Sequence, residues 1–321
     1  MREVLQFQPI YQERVWGGRR LQTLLGRDLP DGPPIGESWE IVDRPEAQSR
    51  VRGGRLGGTT LRELILHHSA EVMGPDWEPA DPFPLLVKWL DCSDRLSLQV
   101  HPPASIALAL GGEPKTENWY VAHSAPGASL FVGLKPGVTR AKFAKAVAAG
   151  TAEDCVNRVA VASGDSILVQ SGQVHAIDAG NLILEIQQNS DTTYRLYDWG
   201  RVGLDGKPRT LHVEESLRSI LWKEPPPGLV RAAPTSGTIA SADEFSIRRV
   251  VLGRGERLRF AQGEQPRLLS VAAGGVTLSF AGTAAPMKVL SVGDNALIPW
   301  SAELEFEAPE PAILLVTEDF S

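Results

Sequence analysis

Four side chains with nitrogen or oxygen lone pairs are spaced so that they can meet at one point: Gln99 and His101 in LSLQVHPP, Glu117 in PKTENWY and His175 in VQSGQVHAI. Successive side chains on a strand alternate faces, so Ser97, Gln99 and His101 share one face while Leu96, Leu98 and Val100 take the other. Three polar groups in a row read as a cavity wall, and His101-Pro102-Pro103 ends the strand. Two imidazoles, a carboxylate and an amide oxygen form a mixed set suited to Zn²⁺, with Mn²⁺, Fe²⁺ and Co²⁺ also compatible. The set carries a single formal negative charge, so a bound divalent ion stays net positive and acts as a Lewis acid, unlike closed cysteine-rich structural sites. Residue types alone leave another reading open, in which each histidine is an ordinary hydrogen-bonded core group.

Cations that could meet an anionic substrate are few, and Arg14, Lys88, Lys115 and Arg195 are the candidates. Lys88 interrupts an apolar strand, LLVKWLD, which is costly unless its ammonium finds an anion or snorkels to water at a sheet edge. Lys115 shares a strand face with Glu117. Arg195 stands between Asp191 and Asp198, where a structural salt bridge is the competing reading. Near the start, RVWGG and GESWE each set a tryptophan beside glycine. Trp16 and Glu37 are the substrate-binding candidates there, the indole being a flat wall for a sugar or simply core.

These residues need strands to position them, and the sequence supplies strands punctuated by glycine. Residues 1–60 read as short strands and turns, and residues 158–199 as a strand series broken by SGD, SGQ and DAGN turns. Helical spacing appears over 59–74, which opens on a threonine cap, and over 138–150 and 212–222, with a short patch at 104–110. His67 and His68 are helix neighbours, about 100° apart, and cannot form a metal pair. GDSILVQSGQVHAI (164–177) aligns without gaps on GDNALIPWSAELEF (293–306), with Leu304 at the place of His175. The organisation predicted is therefore mainly β: two cupin-type, jelly-roll β-barrels with a few short helices inserted around the first. The expected domains are a catalytic one over 1–222, a proline-rich linker over 223–231, and a C-terminal β domain without a metal site over 232–321.

Composition narrows the function classes. With 321 residues and 42% hydrophobic content the chain can bury a sizeable core. The net charge is −7 with no Lys/Arg-rich run, which argues against nucleic acid or anionic membrane as partner. The first residues lack signal-peptide features and no apolar run approaches the roughly 18 residues of a membrane span, so a cytoplasmic protein is expected, as a monomer or weak homodimer. Cys92 and Cys155 read as reduced, buried thiols.

LSLQVHP, PKTENWY, SGQVHAI and QQNSDTTYRLYDWGR, with RVWGG and IGESWE, resemble in collinear order the short bacterial form of the type I mannose-6-phosphate isomerases, zinc-dependent cupins. The resemblance runs from about Tyr11 to Leu221. It implies metal ligation by Gln99, His101, Glu117 and His175, catalytic roles for Arg195 and Lys115, and a phosphate side at Lys88 and Ser97. The sequence departs from the family at Gln170, where proline is usual, and at Asn118, where short members often have cysteine. The implied reaction interconverts mannose 6-phosphate and fructose 6-phosphate through an enediol(ate). An Fe²⁺ dioxygenase and a non-catalytic sugar-phosphate sensor are the rival classes; Gln99 as a fourth ligand disfavours the first, and the intact ligand and cation set disfavours the second.

Overall fold

Apolar residues alternating between glycine turns fold, as that pattern predicts, into antiparallel strands. The computed structural model describes residues 3–280 and 288–320. The fold is mainly β with few short helices. The chain forms two compact units that are not contiguous in sequence: a site unit of Tyr11–Trp39 and Leu86–Ala232, and a companion unit of Met1–Ile10, Glu40–Leu85 and Ala233–Ser321.

Strands are numbered in chain order. In the site unit a seven-stranded sheet runs β1 (Ile10–Gly18), β2 (Ile35–Ile41), β5 (Leu85–Cys92), β12 (Asn181–Gln188), β7 (Glu117–Ser124), β10 (Ser166–Val169), β14 (Leu229–Val230). A five-stranded sheet runs β13 (Tyr194–Tyr197), β6 (Leu98–Val100), β11 (His175–Ile177), β8 (Ser129–Leu134), β9 (Val156–Ala160). The two sheets share one core: Leu90, Trp119, Val121 and Ile183 of the first pack with Leu130, Val132 and Ile177 of the second. Such a double layer leaves an interior in which residues from both sheets can meet.

The proline-rich stretch that reads as a linker ends in ordered structure. Val230 pairs with Ser166 across β14 and β10, and the Asp165 carboxylate accepts from the Ala232 amide at 2.9 Å and meets Arg231 at 2.8 Å. The SGD turn thus fastens the segment as an added edge strand. The N-terminal segment, read as strands and turns, also holds a short helix, α1 (Arg20–Leu25).

In the companion unit one sheet runs β15 (Gly237–Ser241), β16 (Ser246–Leu252), β23 (Ala312–Glu318), β18 (Arg267–Ala273), β21 (Asn295–Ile298). The other runs β17 (Arg257–Phe260), β22 (Leu304–Glu307), β19 (Gly275–Phe280), β20 (Lys288–Ser291). Leu269, Val271, Leu314 and Val316 of the first pack with Phe260, Leu278, Leu304 and Phe306 of the second. A hairpin of β3 (Asp43–Arg44) and β4 (Ala47–Gln48) precedes α2 (Leu61–Val72). That helix opens on a reciprocal capping box between Thr60 and Glu63, in keeping with the expected threonine cap, and it kinks at His68.

Candidate metal centre

β6 lies between β13 and β11, and the register sets Gln99 opposite His175 on one side and Arg195 on the other. One row across three strands therefore carries an amide, an imidazole and a guanidinium. His101 follows β6 immediately, its carbonyl accepting from the Gly172 amide at 2.8 Å in the loop that leads to His175. Glu117 opens β7 in the other sheet, so the four residues reached by strand alternation come together from both layers.

His101, Glu117 and His175 are fully buried, with ligand atoms all within 4.8 Å of one another, and could hold a metal ion. The two Nε2 atoms are 3.1 Å apart, and each is 3.4 Å from a Glu117 oxygen. On the far side of each ring Nδ1 meets a backbone carbonyl, Thr192 O at 2.7 Å for His101 and Gln173 O at 2.8 Å for His175. A carbonyl only accepts, so each Nδ1 carries the proton and each Nε2 presents a lone pair inward. Burial holds the His101 imidazole neutral, its pKa lowered to about 3, and lowers that of His175 too.

Two imidazole lone pairs and a carboxylate thus converge with no proton to share among them, and Glu117 Oε1 is buried without a hydrogen-bond partner among the described residues. Such a cluster fits a cation: acceptors aimed at one point repel unless positive charge sits between them. Lys115 supplies part of it, its Nζ lying 2.7 Å from Glu117 Oε2. Burial alone would lower the Lys115 pKa, but Glu117 and Glu185 outweigh it and hold the ammonium above the ordinary lysine range. Against the opposing effect of burial, the Lys115 ammonium drives Glu117 well below the usual carboxylate range. The Gln99 amide stands 3.3 Å from His175 Nε2, and a half-turn of its terminal torsion presents Oε1 at the same point.

Beside this cluster a cavity of about 410 Å³ is lined by Arg14, Trp16, Glu37, Lys88, Ser97, Gln99, Lys115 and Arg195, all read from the sequence. Its cations differ in how they are held. Arg14 grips Glu37 through both oxygens at 2.9 and 3.2 Å, and Glu37 also accepts from Trp39 Nε1 at 2.7 Å. Against its burial, Lys88 and Arg14 lower the Glu37 pKa to about 2. Arg195 donates to neutral oxygens, Ser97 Oγ at 3.2 Å and Thr210 O at 2.8 Å, and makes no ion pair among the described residues. Asp198, its expected competitor, is taken by Arg201 and Arg209. Lys88 is 3% exposed on the third of seven strands, which removes the edge-lysine reading. Trp16, also 3% exposed, shows the cavity only a margin and is chiefly core with Leu90, Cys92 and Leu96.

Five polar wall residues were not among the sequence candidates for the site: Glu185, Asp191, Thr193, Arg209 and His212. Glu185 carried a usable signal, a carboxylate interrupting NLILEIQQ as Lys88 interrupts its own strand. Arg209 and His212 follow an irregular loop, where no alternation indicates a facing direction.

A family model described as phosphomannose isomerase type I, catalytic domain, matches residues 4–123. A mannose-6-phosphate isomerase of Streptococcus mutans is 40% identical over 218 residues, covering 68% of this chain and 67% of that protein. A putative mannose-6-phosphate isomerase of Bacillus subtilis is 31% identical over 300 residues, 91% of each chain. The crystal structure of a mannose 6-phosphate isomerase from Bacillus subtilis superposes with a TM-score of 0.84 at 28% identity, covering 99% of this chain and 100% of that one.

Proposed function

The chain belongs to the type I phosphomannose isomerase family, and from that premise we infer how its cavity interconverts mannose 6-phosphate and fructose 6-phosphate. It is an aldose-ketose isomerase; neither the dioxygenase nor the sensor reading draws support. The observation that carries the site assignment is the meeting of two inward Nε2 lone pairs with the buried Glu117 carboxylate, beside a cavity whose arginine at 195 has no carboxylate partner among the described residues.

We assign Gln99, His101, Glu117 and His175 as ligands of one divalent ion, Zn²⁺ by the N/O donor set. Bound there, it would supply Lewis-acid polarisation of the sugar's carbonyl and hydroxyl oxygens. The chain's own residues do the rest. Lys88 and Ser97 bind the phosphate and fix the sugar's long axis, while Trp16 and Glu37 line the wall along it. Moving the carbonyl between C1 and C2 takes a proton from one carbon and returns one to its neighbour, and negative charge builds on O1 and O2. Arg195, held by a hydroxyl and a carbonyl instead of a carboxylate, keeps its full positive charge for that oxyanion, worth roughly 3 kcal/mol in a preorganised site. Lys115, whose Nζ reaches the cavity beside Glu117 and which Glu117 and Glu185 hold as an ammonium, is assigned to return the proton and to orient the sugar hydroxyls.

On this reading catalysis is carried within residues 1–222, the segment 223–231 is the connection, and 232–321 has no metal role. The test is a coupled isomerase assay on mannose 6-phosphate. Turnover should vanish with a chelator and return with Zn²⁺. Absence of turnover in the metal-loaded protein would overturn the reading.

A further inference from the structure

Two buried lysines line the cavity, and their surroundings differ. Lys115 lies 2.7 Å from a Glu117 oxygen, a full charge-assisted contact. Lys88 has its nearest carboxylate oxygens at 3.7 Å, on Glu185, and 3.8 Å, on Asp191, beyond hydrogen-bonding distance. Its ammonium instead lies over the indole of Trp39, 4.8 Å from the ring centroid. Trp39 is itself fixed: it is 3% exposed, and its Nε1 donates to Glu37 Oε2 at 2.7 Å while Arg14 grips the same carboxylate. The GESWE motif thus holds Glu37 and Trp39 on one face of β2, next to β5, which carries Lys88.

A π face attracts a cation without accepting any of its classical hydrogen bonds. An ammonium seated on a buried indole is therefore localised, although its side chain has four rotatable bonds, and its N–H groups stay available for an incoming anion. A carboxylate at hydrogen-bonding distance would localise it equally well but would occupy a donor. We propose that Trp39 is a positioning residue that presents the Lys88 ammonium, charged and with free donors, to the substrate phosphate. This rests on the assignment of Lys88 to the phosphate.

Steady-state kinetics of four variants test it. Lys88→Met should raise KM for mannose 6-phosphate about a hundredfold; an unchanged KM would overturn the phosphate assignment itself, and the inference with it. Trp39→Leu should raise KM about tenfold with kcat within twofold, and should weaken competitive inhibition by inorganic phosphate in parallel. Trp39→Phe keeps an aromatic face but loses the N–H on Glu37, and should restore KM to within about threefold of the parent. In the Lys88→Met background, Trp39→Leu should have no further effect, because the residue acts through the ammonium that is gone. With Lys88→Met behaving as expected, three outcomes would each overturn the role of Trp39: an unchanged KM in Trp39→Leu, a Phe variant as impaired as the Leu variant, or a full additional loss in the double variant.

Discussion

The same turn is built twice in this chain, and among the described residues one copy alone faces a metal-type cluster. Gly164 and Gly293 take φ of 91° and 89°, a conformation glycine adopts without strain. The Asp165 and Asp294 carboxylates each accept from the amide three residues back, Ala162 and Ser291, at 2.9 Å in both. Their carbonyls accept from Val121 and Val271, whose own carbonyls accept from Gly164 and Gly293. From that shared frame equivalent positions follow strand by strand. Glu117 pairs with Val169 and Arg267 with Ile298; His175 pairs with Gln99 and Leu304 with Phe260. Where the site unit sets Glu117, His175 and Gln99, the companion unit sets Arg267, Leu304 and Phe260. The guanidinium of Arg267 pairs with Glu318 at 2.6 Å and lies over the Phe260 ring, so the companion unit carries its own cation at the place where the site unit gathers acceptors for one. A shared backbone sets where side chains meet; three residue identities decide whether the meeting point holds a built-in guanidinium or a set of converging acceptors.

The largest expected effect comes from moving one identity across. His175→Leu installs the companion's residue in the site unit, removes one inward lone pair, and should lower kcat/KM at least about a thousandfold, with bound metal lost by atomic absorption. The reciprocal Leu304→His should gain no metal affinity, because Arg267 stands in the carboxylate's place. Metal-supported turnover in the first variant, or stoichiometric metal in the companion unit of the second, would break the comparison.

Next in size is the companion unit's internal cation. Arg267→Met leaves Glu318 without one of its two guanidinium partners and should cost about 3 kcal/mol in denaturant unfolding, with specific activity unchanged. The sign with pH follows from Glu318. Burial would raise its pKa, but hydrogen bonds from Arg248 and Arg267 lower it below the ordinary carboxylate value. A lowered pKa contributes stability above the ordinary range that is lost as pH falls through the folded value. The difference between parent and variant should therefore narrow in acid, and a pH-independent difference would assign the cost to packing instead.

Much of this was legible beforehand, for a physical reason: alternation in a strand is strict, so QxH and KxE each declare a common face, and the GD-turn repeat declares a common frame. Leu304 at the aligned place of His175 already set the second copy's residue type apart from the first. What stayed hidden depends on partners distant in sequence. Nothing in GESWE says that the Trp39 indole lies under Lys88, two strands being brought together only by the sheet order. Arg209 reaches the cavity from a loop, and the proline-rich segment becomes an edge strand because Asp165 anchors it. Nor does composition foretell that residues 40–85 fold with 233–321.

The smallest effects bear on the shared frame itself. If the GD turn is the same scaffold in both copies, its aspartate should be worth about the same in each, apart from contacts one copy has added. Asp294 accepts from the Ser291 amide and has Arg52 at 3.6 Å, a partly exposed contact of little value, so Asp294→Ala should cost about 1 kcal/mol. Asp165 makes the equivalent bond to Ala162 and adds the Ala232 amide and Arg231, so Asp165→Ala should cost about 2 kcal/mol. The excess belongs to the edge strand and not to the turn, and Arg231→Ala should reproduce part of it. The added variant Arg231→Ala, Asp165→Ala should then cost less than the two single losses together, since both remove one shared contact. Strict additivity would mean that Asp165 serves the turn alone and that β14 is held by its strand pairing.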